Sequence, residues 1–399
     1  MWNTKDVYSA WNIIDCGLTE VGSGHHYWEM KALSDELARR GTEVRIFCHK
    51  ATSAGRFPGV PVFPTFSLFA YASISQDLTW GPTENLVVHN RSFDHDLSQV
   101  DPSLFRNSLA FFPMLSERQL LGMFRWLGRL QDQVRPKTVA MLSGLHDVSA
   151  TRFDPRLYQA MWRDCPDSLK SGIALCVRTP NEATAVQQLL GTKAHVLPSP
   201  LAPPSQSRAR IGEAVSPQMI VSFVGNARYE KGCDLLPDIV RECSLLDVRF
   251  VFQVKPDTFE GFDMSALLAL RSRPNVEIHE VPLSREDYHA LIANSVVLLP
   301  YRSGAYRLRH SGIYTEAKCL GAPVIVPGGT WMADDVKSRG NGLVFEEHNA
   351  NAIARSIARA QGDLGALRER AAACAEHFRK GQGPDRCVDA IAALFAHEG

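Results

Sequence analysis

No two cysteines of this chain form a C-x-x-C pair, although there are nine, at 16, 48, 165, 176, 233, 243, 319, 374 and 387. A disulfide framework or a structural zinc site needs tighter spacing, so reduced thiols in a cytoplasmic protein are expected. An excess of charge is missing too, since 43 basic residues balance 43 acidic ones. No overall field draws the chain to nucleic acid, and no Lys/Arg run is long enough to do so locally. A small anionic ligand is still admitted, because it needs only one local pocket. No uninterrupted apolar segment reaches the ~20 residues of a membrane span. The opening Met1-Trp-Asn-Thr-Lys-Asp6 shows no basic stretch followed by an apolar one, so no signal peptide is expected. Peripheral contact with a membrane stays open. No short repeat period is present, which excludes a solenoid.

What the chain does have is alternation. At 399 residues it is too long for one ordinary core, so two domains are expected. Trp11 to Cys16 reads as a strand, Gly17 to Gly24 as a glycine-bearing turn, Tyr27 to Arg40 as a helix and Val44 to Cys48 as the next strand. That is a βαβ unit, the building block of a parallel sheet with helices on both faces. Further strands are expected at 86–89, 138–142 and 174–178, with a helix over 116–134. Leu197 to Pro204 holds four prolines, which forbid helix and central strand and mark a connector. After it the alternation resumes, with strands at 219–224, 248–254, 275–279, 295–300, 323–326 and 342–345. Helices are expected at 234–243, 265–271, 285–293, 312–320 and 350–360. The fold class is therefore α/β, with two Rossmann-like doubly wound domains and a ligand cleft between them. The boundaries place one domain at 1–200, a linker at 201–217, a second domain at 218–380 and a closing helix, 381–399, packing back on the first.

Two segments carry chemistry. Phe223-Val-Gly-Asn-Ala-Arg228-Tyr-Glu-Lys-Gly232 is a strand end, a glycine turn and two cations. A diphosphate needs close backbone approach and fixed cationic donors, and Gly225, Arg228 and Lys231 provide both. Taken alone, an ordinary joint with two solvated cations explains it as well. About eighty residues later, Ser311-Gly312 precedes a helix whose first amides form an anion site. Glu316, one turn on, suits sugar hydroxyls better than phosphate.

The ordered set Gly225…Arg228…Lys231-Gly232, then Glu316-Ala317…Gly321-Ala-Pro-Val-Ile, resembles the nucleotide-sugar half of GT-B glycosyltransferases, closest to the retaining family 4. The turn 17–24 leading into Lys31 to Val44, and the tail Asn341-Gly-Leu-Val-Phe345, are similar to that family as well. The likeness is weak at 50–170 and good at 219–360. It implies a glycosyltransferase that uses a nucleotide diphosphate sugar as donor substrate, with no other cofactor and no metal. The acceptor would be a glycan, a lipid-linked molecule or a small molecule. Arg228 and Lys231 would clamp the diphosphate and stabilise the leaving group, Ser311 and Gly312 would face the phosphates, and Glu316 would bind the ribose. The segment around Val281 would lie by the base, and Gly22 and Gly24 would let the first domain approach the phosphates. His146 would match the family's histidine near the reacting carbon, with His89 competing for that role and His25-His26 weighed as polar caps or cleft residues.

One departure stands out. The family has a second glutamate eight positions before Glu316, where this chain has Leu308 between Arg307 and Arg309. Arg307, Arg309 or His310 would then meet the donor sugar, or simply form an exposed basic helix entry. A sugar-nucleotide epimerase of the same fold, and a non-catalytic nucleotide-sugar-binding homologue, are the alternatives. Two apolar features concern the acceptor: the Phe57 to Tyr71 stretch, as a gripping loop, and the 115–130 helix, as a core or membrane-surface helix.

Overall fold

The computed structural model describes residues 8–19, 25–53, 55, 57–74, 81–144, 155–201, 218–256 and 263–396. Gly22, Gly24, His146 and residues 202–217 of the expected linker lie outside these. The chain divides into two compact units, Met1–Leu201 with Gln382–Gly399, and Ala202–Gly381.

The first unit runs β1 (Ala10–Asp15), α1 (His25–Arg39), β2 (Glu43–His49), β3 (Val62–Phe66), α2 (Gly81–Ser98), β4 (Ser108–Leu115), α3 (Glu117–Arg129), β5 (Lys137–Leu142), α4 (Pro155–Asp164), α5 (Asp167–Lys170), β6 (Ile173–Val177), α6 (Pro180–Leu190) and β7 (His195–Val196). Its strands pair in parallel in the order β3-β2-β1-β4-β5-β6-β7. The chain winds from β1 through β2 to β3, then crosses back to β4 and winds the other way. Successive residues feed opposite faces, as a strand's period of two requires. Ile14, Phe47, Phe112 and Leu142 enter one core, and Ile13, Ile46, Phe111 and Val139 enter the other.

Three expectations are corrected or decided here. The strand expected at 86–89 is a piece of α2, whose start carries Pro82 and Glu84, a helix-opening pattern. α2 buries a polar face, Asn85, His89 and Asn90, and leaves Val87 and Val88 partly exposed. A short β-branched run on the outside of a helix reads as a strand by pattern. Asn90 explains the inversion, because its amide donates to Glu117 O at 2.8 Å and its Oδ1 accepts from Gly122 N at 2.8 Å, joining α2 to α3. The Phe57–Tyr71 stretch is half core: β3 forms within it, and Phe63 stacks on Phe47 and Phe66 on Phe93, each pair at 4.8 Å. Of its aromatic residues Tyr71 is exposed, and Phe69, like Phe63, is half-buried. Leu120, Met123, Phe124 and Leu127 of α3 are buried, so α3 is a core helix.

The second unit runs β8 (Met219–Ala227), α7 (Leu236–Glu242), β9 (Val248–Pro256), α8 (Ser265–Leu268), β10 (Val276–His279), α9 (Arg285–Asn294), β11 (Val296–Leu298), α10 (Ser303–Tyr306), α11 (Gly312–Leu320), β12 (Val324–Pro327), α12 (Trp331–Arg339), β13 (Gly342–Phe345), α13 (Ala350–Gly362) and α14 (Leu364–Lys380). Its parallel sheet has the order β10-β9-β8-β11-β12-β13. Every strand expected in this half forms. The last helix, α15 (Pro384–Ala393), returns to the first unit. There Cys387, Val388 and Ile391 join the core beside α1, and Arg40 donates to Asp389 Oδ1 at 2.5 Å. All nine cysteines are buried and free of disulfides. Among the described residues no helix is long and apolar enough to cross a membrane.

Candidate functional site

β8 leads to β9 on one side of the second sheet and β11 lies on its other side, so the winding order reverses between β8 and β11. Doubly wound sheets take ligands at the carboxyl ends of strands at such a reversal. The loop after β8 and the segment after β11 both leave the sheet there, and glycine lets them meet. Gly232 has φ +71°, and a Cβ on it would stand 2.0 Å from the Pro300 carbonyl oxygen. No other residue fits. Arg302 locks the contact: its amide donates to Glu230 O at 2.9 Å, its guanidinium donates to Asp234 Oδ2 at 2.7 Å, and its plane covers the Tyr229 ring at 3.6 Å.

Gly225 is the second glycine that the geometry demands. Its φ is +134°, and a Cβ there would meet Lys231 Nζ at 2.9 Å and Ile313 Cδ1 at 3.3 Å. The Lys231 ammonium and the first turn of α11 thus converge on one bare stretch of backbone. Burial, and after it the Arg228 charge, push the Lys231 amine down to about 8. Arg228 lies 3.6 Å from Glu230 Oε1, which accepts no hydrogen bond, and Arg309 donates to Glu230 Oε2 at 2.7 Å. Three cations therefore gather around the Glu230 carboxylate. A diphosphate is an anion that such a cluster would hold.

α11 opens with Ser311, whose hydroxyl accepts from Tyr314 N at 3.2 Å. Ser311 is buried, so it shapes the helix start and presents no side chain outward. Gly312 is exposed and a Cβ on it would meet nothing within 4 Å. Glu316, half-buried, accepts the Tyr288 hydroxyl on Oε2 at 2.6 Å, and burial raises its pKa. Tyr288 is a partner that the sequence pattern gave no reason to single out. Val281 is 75% exposed in the loop after β10.

The basic segment after α10 splits. Arg307 is exposed, Leu308 is buried and Arg309 turns to Glu230. His310 bonds Thr315 Oγ1 at 2.8 Å and stacks on Trp331. In the first unit His89 does not follow a strand; it is buried in α2, bonded to Ala72 O at 2.8 Å. His26 instead meets the buried Asp15 carboxylate at 2.7 Å, a pairing the sequence pattern did not single out. The sequence contains one Asp-x-Asp triplet, Asp94-His-Asp96. Its carboxylates are engaged separately, Asp94 by Arg129 and Asp96 by Ser67 and Ser92. Among the described residues no group of three His, Cys, Asp or Glu could hold a metal ion.

Comparison of the sequence with family models and with curated proteins gives no match. Solved structures do match over nearly the whole chain. Sucrose-phosphate synthase from Thermosynechococcus elongatus is 14% identical, with 97% of this chain and 98% of that one covered and a TM-score of 0.67. Anabaena HepE in complex with UDP is 14% identical, with 97% and 99% covered and a TM-score of 0.64. WaaG, a glycosyltransferase involved in lipopolysaccharide biosynthesis, is 17% identical, with 97% and 100% covered and a TM-score of 0.59. Identity this low speaks for fold alone. The chain has the two-domain α/β architecture of these GT-B glycosyltransferases.

Proposed function

We propose that the protein is a glycosyltransferase that moves a sugar from a nucleotide diphosphate sugar to a glycan, a lipid-linked molecule or a small molecule. The observation that supports this most is the convergence of Lys231 Nζ and the first turn of α11 on Gly225. A cation, helix-start amides and a backbone without a side chain are what a diphosphate needs in one place. HepE holds UDP at the same fold, and a uridine diphosphate sugar is the donor class put forward here.

In this reading Arg228 and Lys231 grip the diphosphate and stabilise the charge that grows on it as the sugar leaves, which removes the need for a metal. The Gly312 and Ile313 amides face the phosphates, with Ser311 holding their turn. Tyr288 occupies Glu316 Oε2 and leaves Oε1 to a ribose hydroxyl. The backbone around Val281 lies by the base, and Gly24 and His146 keep the roles the resemblance implies. Retention of configuration is likewise what the resemblance implies.

The test is consumption of UDP-sugars by wild type, Arg228→Ala and Lys231→Ala. Turnover in wild type, and its loss in both variants with an unchanged circular dichroism spectrum, supports the reading. Normal kinetics in either variant contradicts the clamp. Release of an altered sugar without acceptor would assign an epimerase instead.

A further inference from the structure

The turn Tyr229–Lys231 that follows β8 is held at every residue. Lys231 N donates to Arg228 O at 3.1 Å, Gly232 N to Tyr229 O at 2.9 Å and Arg302 N to Glu230 O at 2.9 Å. With its backbone fixed, Glu230 sets its carboxylate between two guanidinium groups, and the two oxygens fare differently. Oε2 accepts from Arg309 Nη1 at 2.7 Å. Oε1 stands 3.6 Å from Arg228 Nη1, is buried and accepts no hydrogen bond. At 3.6 Å there is charge attraction but no hydrogen bond. Glu230 is bonded to Arg309 and only leans on Arg228.

Arg309 is as firmly placed as Glu230. Trp331 Nε1 donates to Arg309 O at 2.7 Å and Trp331 N to Arg307 O at 3.2 Å, which ties the segment before α11 to the start of α12. The Arg309 guanidinium also lies over the Tyr306 ring at 5.5 Å. The influence of the carboxylate reaches the next residue. After burial, the Arg228 charge lowers the Lys231 pKa, Glu230 raises it and Arg309 lowers it.

A carboxylate oxygen beside an arginine stands where a phosphate oxygen would stand, since both are anionic acceptors for the same fork of donors. Two like charges against one guanidinium repel each other. A ligand oxygen that reaches Arg228 must therefore compete with Glu230 Oε1.

We propose that Glu230 is the resident anion of the diphosphate clamp: Oε1 holds the place at Arg228 that a ligand oxygen takes, and on binding the carboxylate gives up Arg228 and stays with Arg309. This deepens the transfer reading above and rests on it for the identity of the ligand. The last torsion of a glutamate is soft, so the carboxylate can turn away while its backbone stays fixed. Arg309 is a positioning residue in this exchange. It holds the carboxylate before and after, and without it Glu230 falls wholly to Arg228 and becomes a stronger competitor. The arrangement weakens the hold on the diphosphate, the group that the donor and the departing nucleotide share, and so eases product release.

Calorimetric titration of UDP into wild type, Glu230→Gln, Arg309→Met and the double variant is the test, with circular dichroism recorded on each. Glu230→Gln is expected to bind UDP about 5-fold more tightly and Arg309→Met about 5-fold more weakly, the effect of one partly exposed ion pair. In the Glu230→Gln background Arg309→Met should change nothing, because the carboxylate it restrains is gone. Arg309→Lys should keep the wild-type affinity. An Arg309→Met loss of equal size in both backgrounds would mean that Arg309 touches the ligand itself, and overturns the proposal. So does UDP affinity that is unchanged or weaker in Glu230→Gln. Wild type alone supplies a second measurement, its crystal structure with UDP. Oε2 should remain on Arg309 with Oε1 withdrawn from Arg228, and a carboxylate still 3.6 Å from Arg228 beside bound UDP contradicts the exchange. Failure of wild type to bind UDP overturns the donor reading instead.

Discussion

Lys231 Nζ lies 2.9 Å from the point where a side chain on Gly225 would begin. The strand-end glycine and the cation six residues on are therefore one feature. Alanine at 225 would have to displace the ammonium and hold a φ of +134° that L-residues rarely adopt. Gly225→Ala is expected to cost about 1–3 kcal/mol of stability and to weaken UDP binding, read by chemical denaturation and calorimetry on the same preparation.

Gly232→Ala tests the brace between the two loops. Its Cβ would overlap the Pro300 carbonyl at 2.0 Å, so backbone must move. The expected loss is about 2–4 kcal/mol, strain at positive φ plus overpacking. An unchanged denaturant midpoint would show that the loops are not in contact.

The Lys231 amine, lowered to about 8, gives a pH dependence of definite sign. Diphosphate affinity should fall as pH rises through about 8, because the ammonium is lost. The stability of the unliganded protein should change the other way. Between about 8 and the unfolded value of 10.5 the unfolded chain holds the extra proton, so this group makes folding more favourable as pH rises. Lys231→Arg should remove both effects. Calorimetric titration with UDP at pH 7, 8 and 9 measures the first.

Away from the site, Lys318 donates to Asp335 Oδ2 at 2.6 Å with only 5% of the lysine side chain exposed. Burial opposes the Asp335 charge, but Lys318, with bonds from Tyr314 and Arg339, holds its pKa below the ordinary carboxylate value. Its stabilising contribution is present above the unfolded carboxylate pKa of about 3.9 and is lost as pH falls through the lowered folded value. Asp335→Asn is expected to cost about 3–5 kcal/mol, since it leaves Lys318 buried and unpaired, and to flatten the acid limb of the stability profile. Thermal melts from pH 2 to 7 show it.

Much of this was legible in the sequence because both sheets are covered on two faces. Ile173–Val177 is a continuous apolar run, Met219–Val224 is apolar but for Ser222, and glycines punctuate such strands. The candidate-site segments were legible for the same reason: Gly225, Arg228 and Lys231 stand within seven residues of a strand end. What was hidden depended on pairings between distant residues. Val87 and Val88 read as strand because the buried face of α2 is polar, and the partners of its Asn90 lie on α3. Tyr288 finds Glu316 across 28 positions, and Arg309 reaches Glu230 across 79. Asp15 reads as an ordinary strand-end residue until His26 is beside it.

The central claim is that Arg228 and Lys231 face a diphosphate, and calorimetric titration of UDP into wild type and the Arg228→Ala/Lys231→Met double variant tests it most directly. The account predicts UDP binding by wild type and a loss of about 10- to 100-fold or more in the double variant, with circular dichroism unchanged. Equal UDP affinity in the two proteins would contradict it.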